Sequence, residues 1–373
     1  MTTTTQLVHS KPDPLNREPS PKELIAKFIT EGTEDGAYDR NHGNIPQING
    51  DTHTVRVQGS VRTPLSLSVA QLKNDFSQHE LVCALQCAGN RRHTMRTRLK
   101  EVDGIDWFDG AVMNCRWRGP LLKDVLEKAG VNVPDTNKAH VAFACYQTET
   151  EKDSWYGASV ELWRALKADA EIILALEMNN KPLTPKHGYP VRVVVPGVAG
   201  ARSVKWLDRI TIQDHESDNF YHQMDYKILP ADITTPEEAR AHLKSTPALQ
   251  DMPINSVVAV PYSGDTVTLS RRGDIEVRGY ALPAGTQGPV VKVEVSADGG
   301  KSWTDAEIIR DRHQSKWCWA LYRAKVKIER GTNKLILSRA TDAGGNVQVE
   351  KPEWNIRGVA YNGYGEARDV TVV

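Results

Sequence analysis

The chain has 373 residues, with 47 Lys plus Arg against 47 Asp plus Glu, 39% hydrophobic residues and 5 Cys. At roughly 100 to 200 residues per domain, this length predicts about two domains, each large enough for a core without disulfide or metal staples. Zero net charge argues against a chain whose main role is to coat nucleic acid or an anionic membrane, so any charge-based specificity must be local.

Residues 1–20, rich in Thr, Pro and charge, read as an extended lead. The segment Met1 to His9 has neither a signal-peptide nor a transit-peptide pattern. Cys83, Cys87, Cys115, Cys145 and Cys318 are too scattered for a disulfide scaffold, and their odd count leaves at least one thiol free. An intracellular, cytoplasmic location follows as the expectation, and the C-terminal Val370-Thr-Val-Val carries no peroxisomal address. The longest apolar stretch, 191–201, contains Arg192 and Pro196 and falls short of the ~20 residues of a spanning helix.

Pro21 opens a segment with helical spacing at Leu24, Ile25, Phe28 and Ile29. Arg40 to Pro46 is polar, contains glycine and ends in proline, which predicts an ordered loop of the kind that carries function. Between Thr54 and Asp214 strands and helices alternate irregularly. Strands are expected around Val55 and Val57 and over 80–87, 139–146, 171–178, 191–195 and 204–212. Helices are expected over 119–130, with Pro120 near the start and Gly130 at the end, and over 159–167. These elements predict an α+β unit over 21–240 with a mixed sheet.

The composition shifts over 231–251, which reads as a connection. Beyond it the period becomes two: Ile275 and Val277 alternate with Glu276 and Arg278, and Val291, Val293 and Val295 with Lys292 and Glu294. Gly299-Gly300 and Gly344-Gly345 supply hairpin turns, so Gly299-Gly-Lys-Ser302 reads as a turn and not a phosphate loop. A β-sandwich of about 110 residues is the expectation.

Two segments carry candidate chemistry. Leu81 to Arg92 is an apolar strand that delivers Cys87 into a Gly-Asn turn followed by two arginines. Cations and turn amides favour a thiolate there, as a nucleophile or metal ligand requires. The alternative is a buried thiol acting as a small hydrophobe. Across four extended residues, about 13 Å, Cys83 is too far from Cys87 to bridge. The second segment, His187 to Trp206, combines an apolar strand with His187, Arg192, Arg202, Lys205 and three glycines. Buried cations need anions, so either a large anionic cofactor or structural ion pairs are implied.

Together these segments resemble the sulfite oxidase family of molybdenum enzymes over nearly the whole chain, from about Asp39 to Val359. The matching pieces are Arg40-Asn-His-Gly, Leu85-Gln-Cys-Ala-Gly-Asn-Arg-Arg92, Tyr156-Gly-Ala-Ser, His187-Gly-Tyr-Pro-Val-Arg192, Gly200-Ala-Arg-Ser-Val-Lys-Trp206, Asp225-Tyr-Lys227 and Trp354-Asn-Ile-Arg-Gly358. The resemblance implies a molybdopterin-binding catalytic domain over 21–240 and an immunoglobulin-like β-sandwich dimerisation domain over 241–373, hence a homodimer. It implies one Mo-molybdopterin per chain, with Cys87 as the protein ligand to molybdenum. The pterin and its phosphate would be held by Arg40, Asn41, His42, His187, Arg192, Ser203, Val204 and Lys205. Gln147 stands where the family usually has an aspartate that contacts the pterin. The implied substrate pocket consists of Arg40, Arg92, Trp107, Tyr226 and Arg357, which suits a small oxyanion.

The implied reaction is oxidation of sulfite to sulfate by oxygen-atom transfer, with electrons passed to oxygen or a cytochrome. Nucleic acid and membranes are not expected as partners, and neither haem nor flavin motifs flank the core. Two other readings remain, beside a third, a thiol-nucleophile hydrolase, disfavoured because it would need no arginine cage to activate a simple Cys-His pair. In nitrate reductases of this type methionine typically replaces the arginine at position 357, and the physical distinction is that a dianion gains more from a third arginine than nitrate does. The other is a molybdopterin-binding protein without turnover. Trp317 and Trp319, on the strand face opposite Cys318, are expected to be exposed and compatible with burial in a dimer interface, the alternative being that they cover the second sheet face within one sandwich domain.

Overall fold

The computed structural model describes residues 7–8, 14–31 and 36–373; the rest of the expected N-terminal lead lies outside the described residues. Within that lead, Glu18 is buried and its carboxylate accepts from the backbone N–H groups of Phe108 and Gly110, both at 2.7 Å. Asn16 Oδ1 accepts from Arg40 and from the Asn41 backbone, so residues 14–20 are built into the body of the protein.

The first body contains a five-stranded sheet in the order Leu65–Ser68, Thr54–Gly59, Arg209–Gln213, His140–Cys145, Tyr156–Glu161. The pair Thr54–Gly59 with Arg209–Gln213 is parallel and the other pairs are antiparallel. Val55 and Val57 point into the core and Thr54 and Arg56 point out, the period-two pattern of a half-buried strand. Helix Leu122–Ala129 lays Leu122, Val125, Leu126 and Ala129 on this core. It begins later than expected because Pro120 still pairs with Gln78 as a strand residue. Its end is as expected, with Gly130 at φ +68° in the left-handed region. The helix expected over 159–167 shrinks to Leu162–Ala165. Residues 159–161 join the strand Tyr156–Glu161, where pairing with His140–Cys145 outweighs local propensity.

A second sheet orders Lys181–Pro182, Glu177–Met178, Val112–Pro120 and Gln78–Gln86. The long antiparallel hairpin places Cys83 opposite Cys115, and all five cysteines are buried and free. The segment Ala231 to Asp251 is not merely a connection: it holds helix Pro236–Leu243, opened by a Thr235–Glu238 capping box.

The second body is a sandwich. One sheet orders Asn255–Val260, Asp274–Leu282, Ala320–Lys327 and Glu307–Ile309; the other orders Thr266–Val267, Gly365–Val372, Gly331–Asp342, Val290–Ser296 and Thr304–Asp305. Their inner faces share a core that includes Val277, Val293, Val295, Tyr322, Ile336 and Val370. Val291, expected inside, is 51% exposed. A register shift between Val290 and Lys292 puts Val290 inside in its place. Gly299 and Gly300, at φ +76° and +87°, turn the chain between Val290–Ser296 and Thr304–Asp305, as the turn reading requires.

Trp317 and Trp319 correct the expectation of exposure, being 2% and 0% exposed within the single chain. The Trp317 indole N–H donates to Glu171 Oε2 at 2.7 Å, and that of Trp319 donates to the Phe28 carbonyl at 2.9 Å. Both rings therefore seal the junction of the two bodies. Among the described residues no helix is long and apolar enough to cross a membrane.

Candidate active site

The strand Gln78–Gln86 ends at Cys87, whose N–H donates to the Ala111 carbonyl at 2.9 Å; the turn closes with Asn90 N–H on the Cys87 carbonyl at 3.0 Å. Helix Arg92–Arg98 then starts from Arg91, which has φ +67°. The strand and this turn thus fix the thiol on a rigid support. Burial pushes the Cys87 thiol up; Arg92, the Gly89 N–H and Arg40 act in the opposite direction. The expectation that cations would leave a ready thiolate is corrected to this extent: desolvation dominates in the protein alone.

Cys87 opens onto a cleft enclosing about 780 Å³ of empty space, its mouth included. Of the expected site residues, Arg40, Asn41, His42, Cys87, His187, Arg192, Ser203, Lys205 and Tyr226 line it. Lys186 adds a fourth cation to Arg40, Arg192 and Lys205, and no Asp or Glu is among the lining residues.

The cations are held by neutral oxygen. Arg192 donates to the carbonyls of His187 and Ser203, both at 3.0 Å, while its Nε has no hydrogen-bond partner. Burial lowers its guanidinium to about 10. Lys205 Nζ donates to the carbonyls of Lys186 at 3.0 Å and Arg40 at 3.3 Å and to the side-chain oxygen of Asn41. Burial, followed by Arg192, brings its ammonium down to about 7. His187 Nε2 and Asp39 Oδ1, 3.9 Å apart, are buried without hydrogen-bond partners, and burial drives the imidazole well below its usual range.

The Arg40 to His42 loop connects to Tyr226. Arg40 Nη2 lies 3.1 Å from His42 Nδ1, and His42 Nε2 lies 2.6 Å from the Tyr226 hydroxyl. A guanidinium can only donate, so Nδ1 accepts and the neutral ring carries its proton on Nε2. That N–H donates to the Tyr226 oxygen, which leaves the phenolic proton to point elsewhere. Burial, with Arg40 next, holds His42 well below the usual imidazole range; burial also drives the Tyr226 phenol well above its own.

The remaining expected residues are placed differently. Arg92 does not line the cleft. Its guanidinium lies in a slot where a Cβ on Gly89 or Gly104 would come within 2.8 Å of it, and it donates to the carbonyls of Ile105, Arg357 and Gly358. Trp107 is 1% exposed and packs behind Tyr38, with ring centroids 6.4 Å apart in edge-on geometry. Arg357 pairs with Asp225. Val204 is buried in the first core and contributes only backbone to this region. Gln147 is exposed and donates to Asp208 Oδ2 at 2.7 Å, so its amide does not face the cleft. Thr148 and Thr150 line that side instead. Sequence reasoning missed Tyr38, Met113, Thr148, Thr150 and Lys186, whereas Gly43, Ala88, Tyr156, Gly200, Ala201 and Trp206 lay in quoted motifs without an assigned role.

The donor set fits a molybdopterin. A cationic cleft with orphaned buried donors and no lining carboxylate calls for an anion. Among the described residues no cluster of three or more His, Cys, Asp or Glu could hold a metal ion, so a metal at Cys87 must bring most of its ligands with it.

A family model described as an oxidoreductase molybdopterin binding domain matches residues 42–221, and a Mo-co oxidoreductase dimerisation domain matches 246–368. The chain is 39% identical over 357 residues to mitochondrial sulfite oxidase of Homo sapiens, covering 94% of this chain and 63% of that protein. It is 35% identical over 364 residues to sulfite oxidase of Arabidopsis thaliana, covering 93% and 89%. An NADH nitrate reductase of Brassica napus is 34% identical over 361 residues, covering 94% of this chain and 39% of that protein. The fold is similar to the sulfane dehydrogenase SoxCD of Paracoccus pantotrophus, with TM-score 0.76 and 23% identity over 98% of this chain and 88% of that one.

Proposed function

This chain belongs to the sulfite oxidase family, and from that membership together with its cationic, carboxylate-free cleft we propose that it binds one Mo-molybdopterin and oxidises sulfite to sulfate. The observation that carries the reading is the placement of the Cys87 thiol on the wall of a cleft lined by Arg40, Lys186, Arg192 and Lys205. Cys87 is the protein ligand for molybdenum. His42, Asn41, His187, Arg192, Ser203 and Lys205 hold the pterin and its phosphate, with Val204 acting through its backbone.

When bound, the cofactor supplies the two-electron redox chemistry and the oxygen atom transferred; the protein supplies position and charge. Arg40 and Arg357 attract and orient the sulfite oxyanion, and Arg92, whose guanidinium is committed to the carbonyls of Ile105, Arg357 and Gly358, adds positive charge from behind the cleft wall. Tyr226, whose oxygen is occupied by His42 Nε2–H, presents its phenolic proton as a donor towards the reacting centre. Trp107 acts one layer back, by supporting Tyr38. Electrons leave to an external acceptor, oxygen or a cytochrome. The chain forms a homodimer through the region that matches the dimerisation model, and its free cysteines fit an intracellular, cytoplasmic setting.

The identity to a nitrate reductase makes the choice of substrate a matter of local charge, and Arg357 with Tyr226 favours the dianion. The test combines metal analysis with stopped-flow reduction by sulfite. Molybdenum in the purified protein and a rapid spectral change with sulfite are expected, both lost in Cys87→Ser; Arg357→Met raises the KM for sulfite severely. Robust nitrate reduction with reduced viologen, or metal present with a spectrum indifferent to sulfite, overturns the reading.

A further inference from the structure

Arg357 is counted above as a wall of the sulfite site, yet its Nη2 is already paired with the carboxylate of Asp225. The same carboxylate oxygen accepts the Tyr226 backbone N–H at 2.9 Å and so braces a residue held at φ +47°. The pair is accessible: the Arg357 side chain is 25% exposed and that of Asp225 14%. Arg357 Nε has no hydrogen-bond partner, so the pairing with Asp225 leaves the guanidinium only partly satisfied. The charge of Asp225 also acts on Arg40 and Arg92. It is therefore the carboxylate that faces the whole arginine set.

We propose that Asp225 is a specificity-determining residue, which competes with the oxyanion for Arg357 and thereby limits how tightly the site holds both sulfite and sulfate. This rests on the sulfite reading. Three guanidinium charges less one carboxylate leave two positive charges, matching a bound dianion. Without Asp225 the same dianion sits in a site with one surplus positive charge and leaves slowly. Because substrate and product are both oxyanions, a cage built only for tight capture would also trap the product. Asp225 has a second function that must be kept separate in any test, since it supports the backbone of Tyr226.

Asp225→Asn separates the two: the amide oxygen can still accept the Tyr226 N–H while the charge is gone. Inorganic sulfate, titrated calorimetrically into the molybdenum-loaded protein, is the probe. The expected result is sulfate binding about tenfold tighter in Asp225→Asn, with a lower KM for sulfite and a lower kcat. Asp225→Glu restores weak binding, and in the Arg357→Gln background the gain from Asp225→Asn shrinks to about twofold or less. Asp225→Ser, which also offers an oxygen to Tyr226, serves if the amide variant does not fold. Unchanged or weaker sulfate binding in a folded, metal-replete Asp225→Asn protein overturns the proposal, even if sulfite turns over normally. Tighter sulfate binding in a protein whose wild type fails to oxidise sulfite supports the role of Asp225 and overturns only the sulfite reading.

Discussion

Arg91 Nη1 lies 2.7 Å from Asn255 Oδ1, so the residue that follows the Cys87 turn is anchored in the sandwich and not in the site. The same guanidinium donates to the carbonyls of Gly363 and Tyr364, both at 2.6 Å, and lies 4.7 Å over the ring of Tyr361. Its Nε is 3.4 Å from Asp109. Two adjacent arginines thus divide the work: Arg92 turns back into the glycine slot near the thiol, and Arg91 ties the turn to the other body. The left-handed conformation of Arg91 makes the division possible, because it sends consecutive side chains in opposing directions.

Arg91→Met is expected to cost about 3 to 5 kcal/mol, since it leaves several buried acceptors and Asp109 without their cation. Guanidinium denaturation of the dimer checks this at fixed protein concentration. Arg91→Lys retains the charge but not the fork and falls between the two. The exposed pair Arg323–Glu307 is the control, and Arg323→Ala leaves the midpoint unchanged.

The local elements legible in the sequence were those governed by period and turn chemistry: the strand that ends at Cys87, the helix that ends at Gly130, and the alternating strands beyond residue 255. What escaped depends on tertiary neighbours. Nothing in two successive arginines tells which will find Asn255 and which three backbone carbonyls. Trp317 and Trp319 read as an outward pair because alternation was extended back from the strand, whereas Ala320–Lys327 begins after them and the first body covers both rings. Tyr38, Thr148 and Thr150 reach the cleft from loops and strand ends with no periodic signature. The cationic set was legible because buried charge is rare enough to demand a partner. That Asp225 already partners one of its members was not.

The Arg40–His42–Tyr226 chain makes a kinetic prediction. Tyr226→Phe removes the donated proton and is expected to lower kcat/KM for sulfite about a hundredfold. His42→Gln, which can still donate to the phenol oxygen, is expected to cost less, about tenfold, at equal molybdenum content. In the protein without cofactor, burial holds His42 well below its usual range and Tyr226 well above its own, and both are expected to stay outside pH 7 to 9 once the cofactor is bound. The ratio of wild-type to Tyr226→Phe activity is therefore expected to stay flat across that window. A ratio that moves tenfold there contradicts the assigned protonation states.

Lys205 gives the anion pocket a pH dependence of definite sign. In the protein without cofactor burial lowers its ammonium to about 7, and a bound anion must raise that value. Below pH 7 the group is charged in both states and affinity is full. Above it, binding has to recruit a proton, and affinity falls about tenfold for each further pH unit until the bound-state value is reached. Inorganic sulfate is a suitable probe for cofactor-free protein because its own charge is constant over this range. Calorimetry is expected to show binding about tenfold weaker at pH 8 than at pH 6, with proton uptake visible as a dependence on the buffer's ionisation enthalpy. Lys205→Arg, whose guanidinium remains charged, is expected to bind sulfate with little slope and no such uptake. A slope that persists in Lys205→Arg assigns the proton to another group and removes Lys205 as its source.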